Sequence, residues 1–378
     1  LLRKFCILII ALAEMAVGFT AWMLPLCGGS ILMRKFILGL VSAGLFCVMG
    51  VSVAAPSAPT FKWQSGNHLF AGVGADAYRL GIPKLHSDFT DVNGKPVSYV
   101  RFDKITPRFH GVVGVHFVNN KFLTTLMGHQ NAITVNYSYV HERSKQSRNL
   151  HDATGYMWNI TNGLNNVENP PSTIILQNSV VTGVFTNQNI HLAWTGQKQL
   201  APNVSFSPSA ELVYVHQFEK LTSWTNFVTP GPADLRGDLS TTIHANYFGL
   251  GFGGAFHYQM MPRLVTTLGL NVQLLVANAD YNGWQNFSVQ NSPAARGIPG
   301  TINGSIHQNL TYRATLHVAA NYALLRSANS PFVQLSAGLD NWGWQPKLVG
   351  PASGETLHLS HVNVLNWFAG LQFVVPFA

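Results

Sequence analysis

The 378-residue chain carries 23 Lys+Arg against 15 Asp+Glu, a formal charge of +8, yet only 10% of its residues are charged, where an ordinary soluble domain has about 25%. With 34 Gly, 19 Pro and 11% aromatic residues, this composition excludes a coiled coil, a charged disordered tail and a typical cytosolic enzyme. No basic cluster points to nucleic acid.

Two apolar runs come first in the chain, Phe5 to Leu26 (broken by Glu14) and Phe36 to Val53. The second follows Met33-Arg34-Lys35 and ends in Ser52-Val53-Ala54. A positive start, a short apolar stretch and a small-x-small site spell a secretory signal peptide with cleavage after Ala54. The expected organisation is therefore a signal peptide at 33–54 and a mature chain at 55–378, with 1–32 translated from upstream of a start at Met33. The alternative for 1–32 is an extra hydrophobic leader, since Phe5 to Leu26 is long enough to span as a helix. Cys6, Cys27 and Cys47 all precede the cut, so the expected mature chain offers no disulfide, thiol nucleophile or zinc-thiolate site.

Beyond residue 55 the recurring signal is strict alternation. From Leu310 to Leu324, Leu310, Tyr312, Ala314, Leu316, Val318, Ala320, Tyr322 and Leu324 alternate with Thr311, Arg313, Thr315, His317, Ala319, Asn321 and Ala323. A strand places these two sets on opposite faces, one suited to hydrocarbon and the other to water. The same pattern runs through 204–218, 248–258, 264–276 and 333–339. Strands are predicted at about 67–78, 98–118, 122–141, 173–195, 203–219, 239–259, 264–281, 306–325, 332–344 and 357–377. Short connections at 119–121, 196–202, 261–263 and 327–331 alternate with long, Asn-, Pro- and Gly-rich ones at 79–97, 142–172, 220–237, 282–305 and 345–356.

Ten antiparallel strands with short turns at one end and long loops at the other describe a transmembrane β-barrel, with eight or twelve strands as the alternatives. A soluble β-sandwich also alternates, but its strands run shorter, and the aromatics here are spaced to a membrane. Tyr312 and Tyr322, Phe248 and Tyr258, and Trp367 and Phe377 each lie ten residues apart on one face. Ten residues at roughly 3.3 Å rise and a tilt of about 40° cover roughly 25 Å along the barrel axis, the height of a lipid band edged by aromatic girdles.

The last strand places Leu365, Trp367, Ala369, Leu371, Phe373, Val375 and Phe377 on one apolar face. This resembles the C-terminal signature of Gram-negative outer-membrane β-barrel proteins, although Phe377 is penultimate and Ala378 follows it. The resemblance implies export through the periplasm and recognition of the last strand by the outer-membrane assembly machinery. It also implies residence among outer-membrane lipid and lipopolysaccharide. Opacity-type surface antigens and small porin-like proteins look similar, and no subfamily motif separates them.

Few residues suggest catalysis. His151-Asp152 in the second long connection and Asp280 near a strand end are acid/base candidates by proximity, set against a solvated loop. His307 with His317, and His358 with His361, lack a supporting third ligand, so no metal or other cofactor is expected. Parity places Asp76, His110, His116, Glu211, Arg313, His317 and Asp340 inside the barrel, where charges should pair or line a wet channel. Arg313 either pairs with Glu211 or Asp340 in a filled barrel or lines a constriction selecting small polar solutes. Arg143, Lys145, Arg148 and Trp158 in the second long connection are candidates for binding anions or glycans, including those of a host-cell surface. The leading expectation is a porin-like or structural surface protein, not an enzyme. The second is an adhesin or antigen acting through its loops, and the third an outer-membrane hydrolase.

Overall fold

The computed structural model describes residues 66–78, 89–90, 96–97, 106–118, 130–153, 174–228, 235–289, 298–327, 329–349 and 358–377. The leader segments 1–32 and 33–54 lie outside the described residues. The strands are β1 Asn67–Tyr78, β2 Phe89–Thr90, β3 Pro96–Val97, β4 Thr106–Val118, β5 Gln130–Ala153 and β6 Ile174–Ala201. They continue as β7 Val204–Val228, β8 Leu235–Met261, β9 Leu264–Val289, β10 Ile298–Ala323, β11 Phe332–Val349 and β12 His358–Phe377. Strands β2 and β3 pair only with each other. The other ten pair antiparallel with their neighbours, and β1 joins both β4 and β12, so the sheet closes into a ten-stranded barrel. Closure leaves no open sheet edge, which is what lets strands cross a bilayer.

Several strands are longer than the alternation predicts. β5, β6, β7, β8, β9 and β10 run 24 to 28 residues, so residues 142–153, 220–228, 282–289, 298–305 and 345–349 are strand where long connections were expected. The expected turn at 196–202 shrinks to two residues, because β6 reaches Ala201. At the start of the barrel only Thr106–Val118 of the strand expected at 98–118, and only Gln130 onward of 122–141, are described. Arg143, Lys145 and Arg148 thus sit on β5, not in a loop, while Trp158 lies outside the described residues.

The extra length has a physical cause visible on β9. Its outward side chains are Leu268, Leu270, Val272, Leu274 and Val276, all strongly exposed, and then Asn278, Asp280 and Asn282. Its inward side chains are Thr267, Gly269, Asn271 and Gln273, and then the buried Leu275, Ala277, Ala279 and Tyr281. The two faces exchange polarity near Leu275. β8 does the same: Phe252, Leu250 and Phe248 outside give way to Asn246 and His244, and Gly253, Gly251 and Gly249 inside give way to Tyr247, Ala245 and Ile243. The lower half therefore meets hydrocarbon outside and polar groups inside. The upper half meets water outside and encloses an apolar core of Val213, Val215, Ile243, Tyr247, Leu275, Trp342 and their neighbours. Only the lower half fits a lipid environment, where a Lys or Arg at the midplane of the outer face costs roughly 2–4 kcal/mol.

Candidate functional site

All seven residues assigned inward by parity lie on the inner face. Asp76 and His110 face inward from β1 and β4, and His116 lies beside His68 in the same register row. Glu211 projects from β7, Arg313 and His317 from β10, and Asp340 from β11. They lie in the lower two of three layers stacked along the lumen.

The lowest layer is apolar with imidazoles at its rim. Val265, Ala323, Phe332 and Val374 form a buried cluster with Phe70 packed against it. The His68 ring stands 5.8 Å from Phe332 and 5.8 Å from His116, and His116 Nδ1 is 2.8 Å from Thr134 Oγ1. Nearby, His257 bridges Thr267 and Ser207 at 2.9 Å each. A buried imidazole with both ring nitrogens occupied is held in one orientation.

The middle layer holds the charges. Arg313 Nε donates to both carboxylate oxygens of Asp340, at 2.8 and 3.0 Å. Asp340 also accepts from Thr315 Oγ1 at 2.9 Å and from Trp342 Nε1 at 2.7 Å. The Arg313 guanidinium lies 4.5 Å from the Trp342 ring. Three strands further round from Arg313, Glu211 accepts hydrogen bonds from Asn271 and Gln273 and lies 3.4 Å from His191 Nδ1. On the opposite wall His110 Nδ1 is 3.3 Å from Asp76 Oδ2. Of the two partners expected for Arg313, the register selects Asp340: β10 and β11 are neighbours and Thr315 pairs with Asp340. Glu211 is three strands away in the ring.

Glycines on the inner face give these side chains room. A Cβ at Gly251 would strike the Glu211 side chain, one at Gly74 the His110 ring, and one at Gly269 the His317 ring. Each long polar side chain lies flat across its neighbour strand only because that neighbour has no side chain there.

The upper layer crosses the lumen. Tyr247 on β8 packs edge-on against Trp342 and Trp344 on β11, with ring centroids 5.1 and 5.9 Å apart. Two strands, β9 and β10, separate these partners around the ring. Tyr247, Leu275 and Ala277 are 0% exposed. Beside this layer Arg108 Nε pairs with Glu142 at 2.9 Å, and its guanidinium sits 3.8 Å above the Phe185 ring.

The six aromatics expected to edge a lipid band all lie on the outer face. Phe248, Tyr312 and Trp367 point outward at the upper edge of the apolar band, and Tyr258, Tyr322 and Phe377 at the lower edge. At the lower edge Arg263 lies 4.8 Å from the Tyr322 ring and donates to the Ala323 and Leu324 carbonyls. A cation and a phenol fastened together suit a membrane–water boundary.

Among the described side chains the catalytic and metal candidates do not come together. A bulge between Gln308 and Thr311 shifts the β10 register, so His307 pairs with outward Asn278 while His317 points inward. Asp280 is exposed on the outer face opposite His244. There burial and the neighbouring His216 hold the His244 imidazole below its ordinary range, against the pull of Asp280. His151 and Asp152 lie in β5, and His358 and His361 in β12. Among the described residues no group of three or more metal-ligating side chains occurs. Sequence parity alone did not single out Tyr247, Trp342, Trp344, His191 or Lys220, which the three-dimensional arrangement brings forward.

No family model matches the chain, and no curated protein matches it. Solved structures do. The outer membrane protease OmpT from Escherichia coli is 8% identical, covers 83% of this chain and 98% of its own, and has a TM-score of 0.36. The toluene transporter TodX from P. putida is 7% identical, with 83% and 90% covered and a TM-score of 0.25. An outer membrane channel from Pseudomonas putida F1 is 11% identical, with 86% and 100% covered and a TM-score of 0.28. The closed ring of ten strands and the exposed apolar band, taken by themselves, make this a barrel of the outer-membrane kind.

Proposed function

We propose that the chain is an integral outer-membrane surface protein whose barrel is closed, and that it acts through its outer wall rather than as an open pore. One observation carries this reading: the contact of Tyr247 with Trp342 and Trp344 spans the lumen from β8 to β11. The Arg313–Asp340 and Glu211 hydrogen bonds below it supply a second barrier. A layer of paired charges under an apolar contact across the lumen favours a filled barrel over a channel that strips solutes of water. The hydrolase reading gains no support: His151 and Asp152 belong to β5, whereas Asp280 lies on the outer face of β9.

Planar-bilayer recording tests the proposal. The wild-type protein should insert without single-channel steps. Tyr247→Ala combined with Trp342→Ala and Trp344→Ala should introduce them. Steady wild-type conductance would overturn the closed-barrel reading and restore porin-like passage.

A further inference from the structure

The outer wall immediately above the apolar band has a composition of its own. On β5 the last outward aromatic is Tyr139, and the outward side chains that follow are His141, Arg143 and Lys145, all exposed. On β7 Tyr214 is followed outward by His216, Phe218 and the exposed Lys220. β5 and β7 flank β6, and the registers align the two strands: Arg143 pairs with Val184, and Val184 with Lys220. Arg143 and Lys220 therefore lie in one row, with β6 between them. The threonines of β6 two positions to either side, Thr182 and Thr186, share that outward face. Among the described residues no carboxylate pairs with Arg143, Lys145 or Lys220.

Height above the lipid decides what these cations meet. Arg143 is four residues past Tyr139, while Lys145 and Lys220 are six past Tyr139 and Tyr214. At roughly 3.3 Å per residue and a tilt of about 40°, they stand about 10–15 Å above the Tyr139 and Tyr214 rings, with Phe218 just below Lys220 on the same face. A phospholipid headgroup layer is only about 5–8 Å deep, half the difference between total and hydrocarbon thickness. Arg143 and Lys145 overshoot it, and the register holds Lys220 in the row of Arg143. They stand level with the sugars of a taller glycolipid, among which phosphates would find two cations about 10 Å apart, two strand spacings, with threonine hydroxyls between them.

We propose that the outward face of β5–β7 above the apolar band is a docking surface for the phosphorylated oligosaccharide headgroup of an outer-leaflet glycolipid. The proposal rests on the outer-membrane reading. Arg143 and Lys220 hold one phosphate between them over Thr182 and Thr186, and Lys145 reaches a second. The continuity of this surface with the lipid-facing band places the headgroup of a lipid already packed against the barrel directly on the cations.

The test uses the full chain folded into detergent micelles and three probes. These are a lipopolysaccharide with phosphorylated core heptoses, the same material dephosphorylated with hydrogen fluoride, and phosphatidylglycerol. The variant combines Arg143→Ala, Lys145→Ala and Lys220→Ala, all on exposed positions that leave the lumen untouched. The wild type should bind the phosphorylated form more tightly than the dephosphorylated one. The variant should lose about a hundredfold for the phosphorylated form, three cations beside an anionic surface, and little for phosphatidylglycerol. Equal affinity of wild type and variant for the phosphorylated form overturns the proposal, as does an equal loss for phosphatidylglycerol. Insertion into vesicles is scored separately by heat-modifiable gel mobility. A wild-type chain that does not insert overturns the membrane reading and the proposal with it. An inserted barrel indifferent to core phosphates overturns the proposal alone.

Discussion

Replacing Arg313 with Met keeps most of the side-chain volume and removes the cation from the middle of the lumen. Asp340 then keeps Thr315 and Trp342 as donors but loses the charge that both its oxygens face. With Arg313 at 16% and Asp340 at 11% side-chain exposure, water cannot compensate. Breaking one half of a buried pair typically costs about 3–5 kcal/mol, and the two surviving donors place this case near 3 kcal/mol. The double variant Arg313→Met with Asp340→Asn removes the orphaned charge as well. It should return to within about 1 kcal/mol of wild type, since an uncharged, well-packed replacement of a buried pair is often neutral. The assay is urea unfolding of the barrel folded into phosphocholine bilayers, followed by tryptophan fluorescence and heat-modifiable mobility. If the single and double variants lose the same stability, the cost does not come from an uncompensated Asp340 charge and the account of the middle layer is wrong. Planar-bilayer recording of the single variant adds an independent reading, because the aromatic layer above should keep it closed.

Gly251→Val should push Glu211 off Asn271 and Gln273 and cost about 1–3 kcal/mol by overpacking. Gly111→Ala, with open space around its Cβ, should stay within about 0.5 kcal/mol, and the same urea assay compares them. Along the outer face of β9, Leu270→Lys should cost roughly 2–4 kcal/mol while Asn282→Lys costs nearly nothing; similar costs would refute the polarity exchange. His244 binds its proton less readily folded than unfolded, since burial and His216 lower its pKa. Its contribution is thus complete above the ordinary histidine value of about 6.5 and is lost as pH falls through that value toward the folded one. The urea midpoint of His244→Asn should therefore drop less than the wild type's between neutral pH and pH 5, and parallel drops would refute this.

The inner and outer faces were legible because period two survives tertiary structure: a strand in a closed sheet has no choice but to alternate. Asp76, Glu211, Arg313 and Asp340 could be set on one face from parity alone. Which of them meet could not, because partners depend on the stagger between strands, which single-strand alternation does not encode. The upper half of the barrel escaped for a different reason. At Asn278 the outward position turns polar and at Leu275 the inward one turns apolar, so the alternation continues with its sense reversed. A reading that follows the apolar set outward takes that reversal for the end of the strand. Likewise, His307 and His317 sit an even ten residues apart, yet the intervening bulge sends them to opposite faces.

The exchange of polarity along each strand makes register a shared obligation of two solvents. A one-residue slip in β8 or β9 would turn Gly and Asn toward lipid below while turning Tyr247 or Leu275 out into water above, so an insertion within either half is penalised at both ends of the same strand. The level where the halves meet is the one place such an error can be absorbed. The Gln308/Thr311 irregularity in β10 and the Trp342/Gln345 irregularity in β11 both fall there. Chain-length variation among barrels built on this plan should therefore collect at that seam and at the strand ends, leaving the two halves constant in length.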